Sequence, residues 1–250
     1  MKRANLCHIT FTGIDARTDV RALHEIQREF HIAEFGVLVS NNWKENGNRF
    51  LDPGKIGCLR KRQNERTLNL ALHLCGSAAH EAAIGHWDKV EQYQQMGLSN
   101  GIFNTGLFQR VQLNIAGRKD NPVRVCPPAF PNCEIIIQQK SVYDMDLYIE
   151  THKVYPFPFS VLLDASGGQG IDTPIMAVGD PHHKVGYAGG FNPDNVADKL
   201  SYLLEHDTYD FWIDMETGVR TDDWFDLNKV VKVLQICKQV LDYHKKGGAQ

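Results

Sequence analysis

Two stretches near the C-terminal end share one design. "KVGYAGGFNPDN" (184–195) and "FWIDMETGV" (211–219) are each a short apolar run closed by a glycine-bearing turn. Gly189 and Gly190 end the first, Thr217 and Gly218 the second. A main chain without side chains can approach a phosphate closely and turn its N–H groups toward it. "NPDN" then opens a helical pattern with Asn192 or Asp194 as N-cap, and a helix dipole there would favour an anion. Read singly, such glycines do no more than make tight turns. Asp164 closes another apolar run, "PFSVLLDASGG". A carboxylate there is costly unless it faces a wet cavity or has partners, so it reads as an acid/base group, with a structural cap as the alternative. Cys7, in "NLCHIT", is by type a small buried hydrophobe. Its placement in the first strand makes it a candidate base.

Such groups act together only if strand ends converge. Eight strand-like runs occur in order, at "ANLCHITFTG", "AEFGVLVS", "TLNLALHLCG", "FQRVQLNIAG", "CEIIIQQK", "PFSVLLDASGG", "HKVGYAGG" and "YDFWIDMETG". Helical patterns lie between them. In "DARTDVRALHEIQREF" Val20, Leu23, Ile26 and Phe30 recur at helical spacing, and "SAAHEAAIGHWDKVEQYQQMG" reads as one helix with Ser77 at its N-cap. Continuous apolar strands are expected where both faces are covered. The pattern predicts a (β/α)8 barrel over residues 1–250 as one domain, with long loops at 41–66 and 118–132. A doubly wound open sheet is the rival, but no GxGxxG follows its first strand. In such a barrel the site lies at the C-terminal strand ends, and the loops after strands seven and eight frequently hold phosphate.

Composition narrows the partners. The net charge is -3 over 250 residues, which does not suggest a chain built to grip nucleic acid or an anionic membrane. The basic run Gly54 to Arg66 reads as a solvated loop. No apolar run approaches the roughly 18 residues of a membrane span, and the N-terminus lacks a signal-like apolar region. The six cysteines are scattered without a CxxC pair, as for free thiols in a reducing cytoplasm. No compact metal-ligand spacing occurs, so no metal is expected. The expected partner is a phosphorylated small molecule, bound by a monomer or homodimer in the cytoplasm.

The strings also resemble a family. "NLCHIT" looks like the K-I-C-G-I-T opening of the phosphoribosylanthranilate isomerases, and "VLLDASGGQG" is similar to their L-L-D...G-G-T-G segment. "GYAGGFNPDNV" resembles L-A-G-G-L-x-P-x-N-V, and "IDMETGVRTDDWFDLNKV" resembles D-V-S-S-G-V-E...K-D...K-I. "FGVLVSNNWKENGNRFLDP" and "RVQLNIAG" are similar to G-F-V-F...S-x-R-x-V and V-Q-L-H-G. The resemblance implies a cofactor-free Amadori rearrangement in tryptophan biosynthesis. Asp164 would be the general acid that opens the sugar ring and Cys7 the thiolate base at C2. Arg49 would pair with the substrate's aromatic carboxylate, and Asn114 takes the strand-four position. His8 replaces a glycine, Gln169 a threonine, and Glu216 brings a carboxylate to the phosphate turn, where it would repel a dianion if it pointed inward. His73 could face the mouth or fill the core. Two other readings stay open: a phosphosugar epimerase or aldolase, with Lys140 as a Schiff-base lysine, and a barrel that binds without turnover.

Overall fold

A computed structural model of the chain describes residues 4–42, 44, 47–59, 68–95, 106–115, 133–140, 159–178 and 184–246. The 118–132 loop and part of the 41–66 loop, including 60–66, lie outside them. Eight strands close into a barrel in sequence order. They are β1 (Leu6–Thr12), β2 (Ala33–Ser40), β3 (Leu70–Cys75), β4 (Arg110–Asn114), β5 (Glu134–Gln139), β6 (Phe159–Asp164), β7 (Val185–Ala188) and β8 (Phe211–Met215). Every neighbouring pair is parallel, and β8 returns to pair with β1 through Ile9↔Ile213 and Phe11↔Met215. This is the (β/α)8 barrel that the alternating runs predict; the open sheet is excluded because no edge remains.

The described helices pack apolar faces on the outside of the ring. In α1 (Val20–Glu29) Asp19 caps the N-terminus through the Arg21 amide, and Leu23 and Ile26 are buried one turn apart. α2 (Pro53–Ile56) is a single turn. The stretch after β3 forms two helices, α3 (Ser77–Ala83) and α4 (Asp88–Gln95). The expected single helix breaks at Gly85, whose φ of +104° is left-handed. Ser77 is not its N-cap: Gly76 holds that position, and the Ser77 hydroxyl accepts from Asn41 instead. α5 (Val196–His206) follows β7, and α6 (Leu227–Lys245), capped by Asp226, follows β8. A two-stranded hairpin, β9 (Arg220–Thr221) and β10 (Trp224–Phe225), sits between β8 and α6.

Strand residues alternate in direction, so each strand sends every second side chain into the barrel. On β4 the inward set is Arg110, Gln112 and Asn114. The interior is therefore layered. At the N-terminal end Arg110 pairs with Glu34 at 2.9 Å and approaches Glu134 at 3.4 Å, while Thr10 donates to Glu34. A middle layer of Ile136, Leu162 and Trp212 follows. The Trp212 ring fills the space left by the missing side chain of Gly186 and carries Arg110 stacked 4.2 Å from its centroid. Above that plug the interior turns polar again.

Candidate active site at the C-terminal mouth

A cleft opens at the C-terminal ends of the strands. It is lined by Thr12, His73, Gln112, Asn114, Gln138 and Asp164, by Asp214 and Glu216, and by glycine-rich tips. Asp164 sits at the end of β6 and is buried. Its Oδ1 accepts from the Ser166 amide and hydroxyl at 3.0 and 2.7 Å, and its Oδ2 from Gln138 Nε2 and the Gly168 amide at 2.8 and 2.5 Å. Donors thus occupy both oxygens, so Asp164 is presented as an acceptor.

Asp214 on β8 is its counterpart and was missed in the sequence, where it is one polar residue inside an apolar strand. It accepts from the Thr12 hydroxyl at 2.8 Å, and its Oδ2 lies 4.0 Å from His73 Nδ1. Burial, with the nearby charges of Glu216, Glu34 and Asp164, pushes its carboxyl up to about 8. His73 faces into the barrel beneath the mouth, and burial lowers it to about 4, which leaves the ring neutral.

These two shifts predict a pH window for stability. Unfolded Asp214 loses its proton near 3.8 and folded Asp214 only near 8, so between those values the folded state holds an extra proton and stability falls as pH rises. His73 has the opposite sign between about 4 and 6.5, where the unfolded state holds the extra proton. The slopes offset up to about pH 6.5 and leave a net loss of about 2 kcal/mol by pH 8. Urea midpoints measured between about pH 6.5 and 8 should decline for the native chain and stay level for Asp214→Asn. An equal decline in both would assign the proton elsewhere.

The structure brings the expected tips together. Gly189, Gly190, Thr217 and Gly218 all line the cleft, joined by Gly168 and Gly170 from the loop after β6. Close approach explains two of the glycines. Gly190 has φ +66°, and a Cβ there would lie 2.6 Å from the Asp172 amide; at Gly218 a Cβ would overlap the Phe191 carbonyl. Lys199 fastens this corner by donating to Asp172, to Thr173 O at 3.1 Å and to Gly189 O. The Gly168 and Gly170 amides are committed to Asp164 and Ser166. Asn192 is not the N-cap of α5 but accepts from the Asp194 and Asn195 amides in the turn before it. An anion at this corner would therefore depend on the β7 and β8 tips.

Glu216 is neutralised within the site. Arg49 binds its Oε1 at 2.8 Å, the Thr217 hydroxyl at 3.2 Å and Asp223 at 2.8 Å. Burial raises the Glu216 carboxyl, and the hydrogen bond and charge of Arg49 oppose that rise. Arg49 is thus a scaffold for the β8 tip and does not line the cleft. A second clasp, Arg220 to Asp15 at 3.1 Å and to Gly13 O at 2.6 Å, ties the β1 tip to the hairpin. Asn114 lines the mouth and bonds Gln112 and Cys75. Lys140 packs beside Gly167 and does not line the cleft.

Cys7 is not brought to this mouth. It lies at the N-terminal end of β1, where Leu6 pairs with Phe211, the first residue of β8. The charges acting on it are those of Lys184, Asp210, Arg110 and Glu134 at the opposite end, and burial raises its thiol. At about 3.3 Å per residue, five residues put it roughly 16 Å from the tip. Thr12 is the residue that β1 delivers. A signal for this existed: Gly13-Ile14 repeats the G-I of K-I-C-G-I-T, so Thr12, not Cys7, falls at the cysteine's place.

No family model matches the chain, and no curated protein matches it in sequence. Among solved structures, N-(5'-phosphoribosyl)anthranilate isomerase from Pyrococcus furiosus is similar, with a TM-score of 0.51 and 13% identity. The match covers 93% of this chain and 98% of that one. The likeness is one of fold. A (β/α)8 barrel is what the comparison supports. Among the described residues no helix is long and apolar enough to cross a membrane, and no three His, Cys, Asp or Glu side chains are grouped to hold a metal ion.

Proposed function

We propose that the chain is an aldose–ketose isomerase acting on a phosphorylated N-ribosyl compound, with Asp214 and Asp164 as its acid and base. The observation that carries this reading is one cleft holding two carboxyl groups of opposite character beside glycine tips. Asp214 keeps its proton near neutral pH, whereas Asp164 accepts at both oxygens. A protonated carboxyl and a hydrogen-bond-accepting one in the same cleft can divide the acid and base roles between them. Asp164 therefore changes from the acid expected by resemblance to the base, and Cys7 leaves the mechanism.

In the proposed sequence the Asp214 proton goes to the ring oxygen, the C1–O bond breaks, and the nitrogen lone pair forms an iminium. Asp164 gives up one of its four hydrogen bonds to take the C2 proton, and the C–H electron pair forms the enolamine. Loss of the enol proton and protonation at C1 give the ketose, with no net oxidation and no cofactor. The Gly189–Gly190 and Thr217–Gly218 amides would hold the phosphate and fix C1 and C2 over the carboxyls. The test is turnover of N-(5-phosphoribosyl)arylamines, followed as loss of the N-glycoside and gain of the ketose. A second reading, a phosphometabolite-binding barrel, draws on Thr12, since β1 offers the mouth a hydroxyl in place of an ionisable thiol. Binding of ribose 5-phosphate with no ketose after long incubation would favour it.

Arg49 gives a further check. Arg49→Ala should weaken ribose 5-phosphate binding about tenfold, because the freed Glu216 charge then faces the dianion. Adding Glu216→Gln should restore most of that loss. Additive losses in calorimetric titrations would mean that Arg49 contacts the ligand itself.

A further inference from the structure

We infer that the half of the cleft away from the glycine tips recognises an uncharged, amide-like group on the sugar's nitrogen substituent, and not a carboxylate. This inference rests on the phosphosugar reading above and assigns the substrate class of that same site.

The half in question is built by β3, β4 and β5. His73 and Gln112 are register partners on adjacent strands, and both are almost fully buried. Each leaves a polar atom without a hydrogen bond, Nε2 of His73 and Oε1 of Gln112. Burying such atoms unpaired costs on the order of 1–3 kcal/mol each, so a cleft that tolerates a bare Gln112 Oε1 is one in which a ligand supplies the missing partner. The Gln112 amide is already oriented. Its Nε2 donates to Asn114 Oδ1 at 2.8 Å, and Asn114 Nδ2 in turn points to Cys75 Sγ at 3.2 Å. In this arrangement Oε1 is a bare acceptor that needs a donor. A primary carboxamide supplies an N–H for Gln112, while a carboxylate supplies no donor at all; His73 Nε2 packs toward Gly36 and takes no part.

Charge points the same way. The carboxyl groups of Asp164, Asp214 and Glu216 line this cleft, and the described lining residues include no lysine or arginine. Arg49, the residue expected to receive a carboxylate, is held by Glu216, Thr217 and Asp223. Glu216 is paired and Asp214 protonated, but the charge of Asp164 meets no lysine or arginine among the described lining residues and would oppose a second anionic group. The phosphate escapes this penalty only at the far corner, where main-chain amides would meet it.

A matched pair of stable ligands tests the inference: N-(5-phosphoribityl)-2-aminobenzamide and N-(5-phosphoribityl)-2-aminobenzoate, which differ in one carboxamide against one carboxylate. Titrated calorimetrically into the whole chain, the amide should bind at least about tenfold more tightly. In Gln112→Met, which keeps the side-chain volume, the ratio of the two affinities should fall to near one. A mere packing defect would weaken both ligands alike and leave the ratio unchanged. Equal or tighter binding of the carboxylate, or a ratio untouched by Gln112→Met, overturns the assignment. Ribose 5-phosphate is titrated in parallel. If it binds while the ratio fails, the specificity inference alone is wrong; if it does not bind, the phosphosugar reading fails and the inference with it.

Discussion

Asp164→Asn is expected to lower the turnover of a phosphorylated N-ribosylamine by about a thousandfold, the effect of removing a positioned general base. The change falls on kcat because Asp164 would act on the C2 proton, whereas the main-chain amides of the tips, next to its register partner Ala188, would hold the phosphate. Four hydrogen bonds converge on its two oxygens, so the asparagine NH2 must face a donor wherever it turns. That mismatch costs roughly 1–3 kcal/mol in the loop from Ser166 to Gly168 and shows as a lower urea midpoint. The separating readout is ribose 5-phosphate affinity, expected to stay within a few-fold of the native value while kcat collapses. Turnover within tenfold of native would remove Asp164 from the mechanism.

The second large effect belongs to Gly218. A methyl group there would overlap the Phe191 carbonyl and press on the Asn192 side chain. The carbonyl cannot retreat easily, because the Phe191 ring is fully buried in the core and the residue follows Gly190 directly. Gly218→Ala must therefore push the β8 tip away from the β7 tip. The strain is expected to cost about 1–3 kcal/mol and, with the amides splayed, to reduce ribose 5-phosphate affinity by about a hundredfold. Gly57→Ala serves as the control. Nothing lies within 4 Å of its would-be Cβ, and its φ of -60° is helical, so stability there should hold or rise slightly. Phosphate affinity preserved in Gly218→Ala would mean that the two tips do not cradle the anion.

Much of the barrel was legible along the chain. Eight apolar runs separated by helical periodicity leave few alternatives, since parallel strands with both faces covered need that composition. The glycine tips were legible for a related reason. Gly190 and Gly218 sit where another main chain passes within contact distance, and only glycine fits there. Helix ends were harder to read. Gly85 looks like a tolerated glycine inside a helical pattern, but its left-handed backbone splits the segment into α3 and α4.

The acid/base pair shows the limit. Asp164 announces itself because it ends a run of apolar residues at a strand tip. Asp214 does not, because nothing in its neighbours along the chain reveals that Thr12, His73 and Glu216 come from other strands to surround it. Cys7 was misplaced by a register error of five residues, and in a barrel such a slip carries a side chain from one mouth past the Trp212 plug to the other.

By itself, then, the order of residues determined the class of fold, the number of strands and the tips at which glycine is obligatory. These depend on local periodicity and on sterics that each residue carries with it. Closure of the ring decided the rest: which carboxyl keeps its proton, which arginine is spent on Glu216, and which end of β1 reaches the ligand. Those properties arise from the distances between groups far apart in sequence, because desolvation and charge act through space.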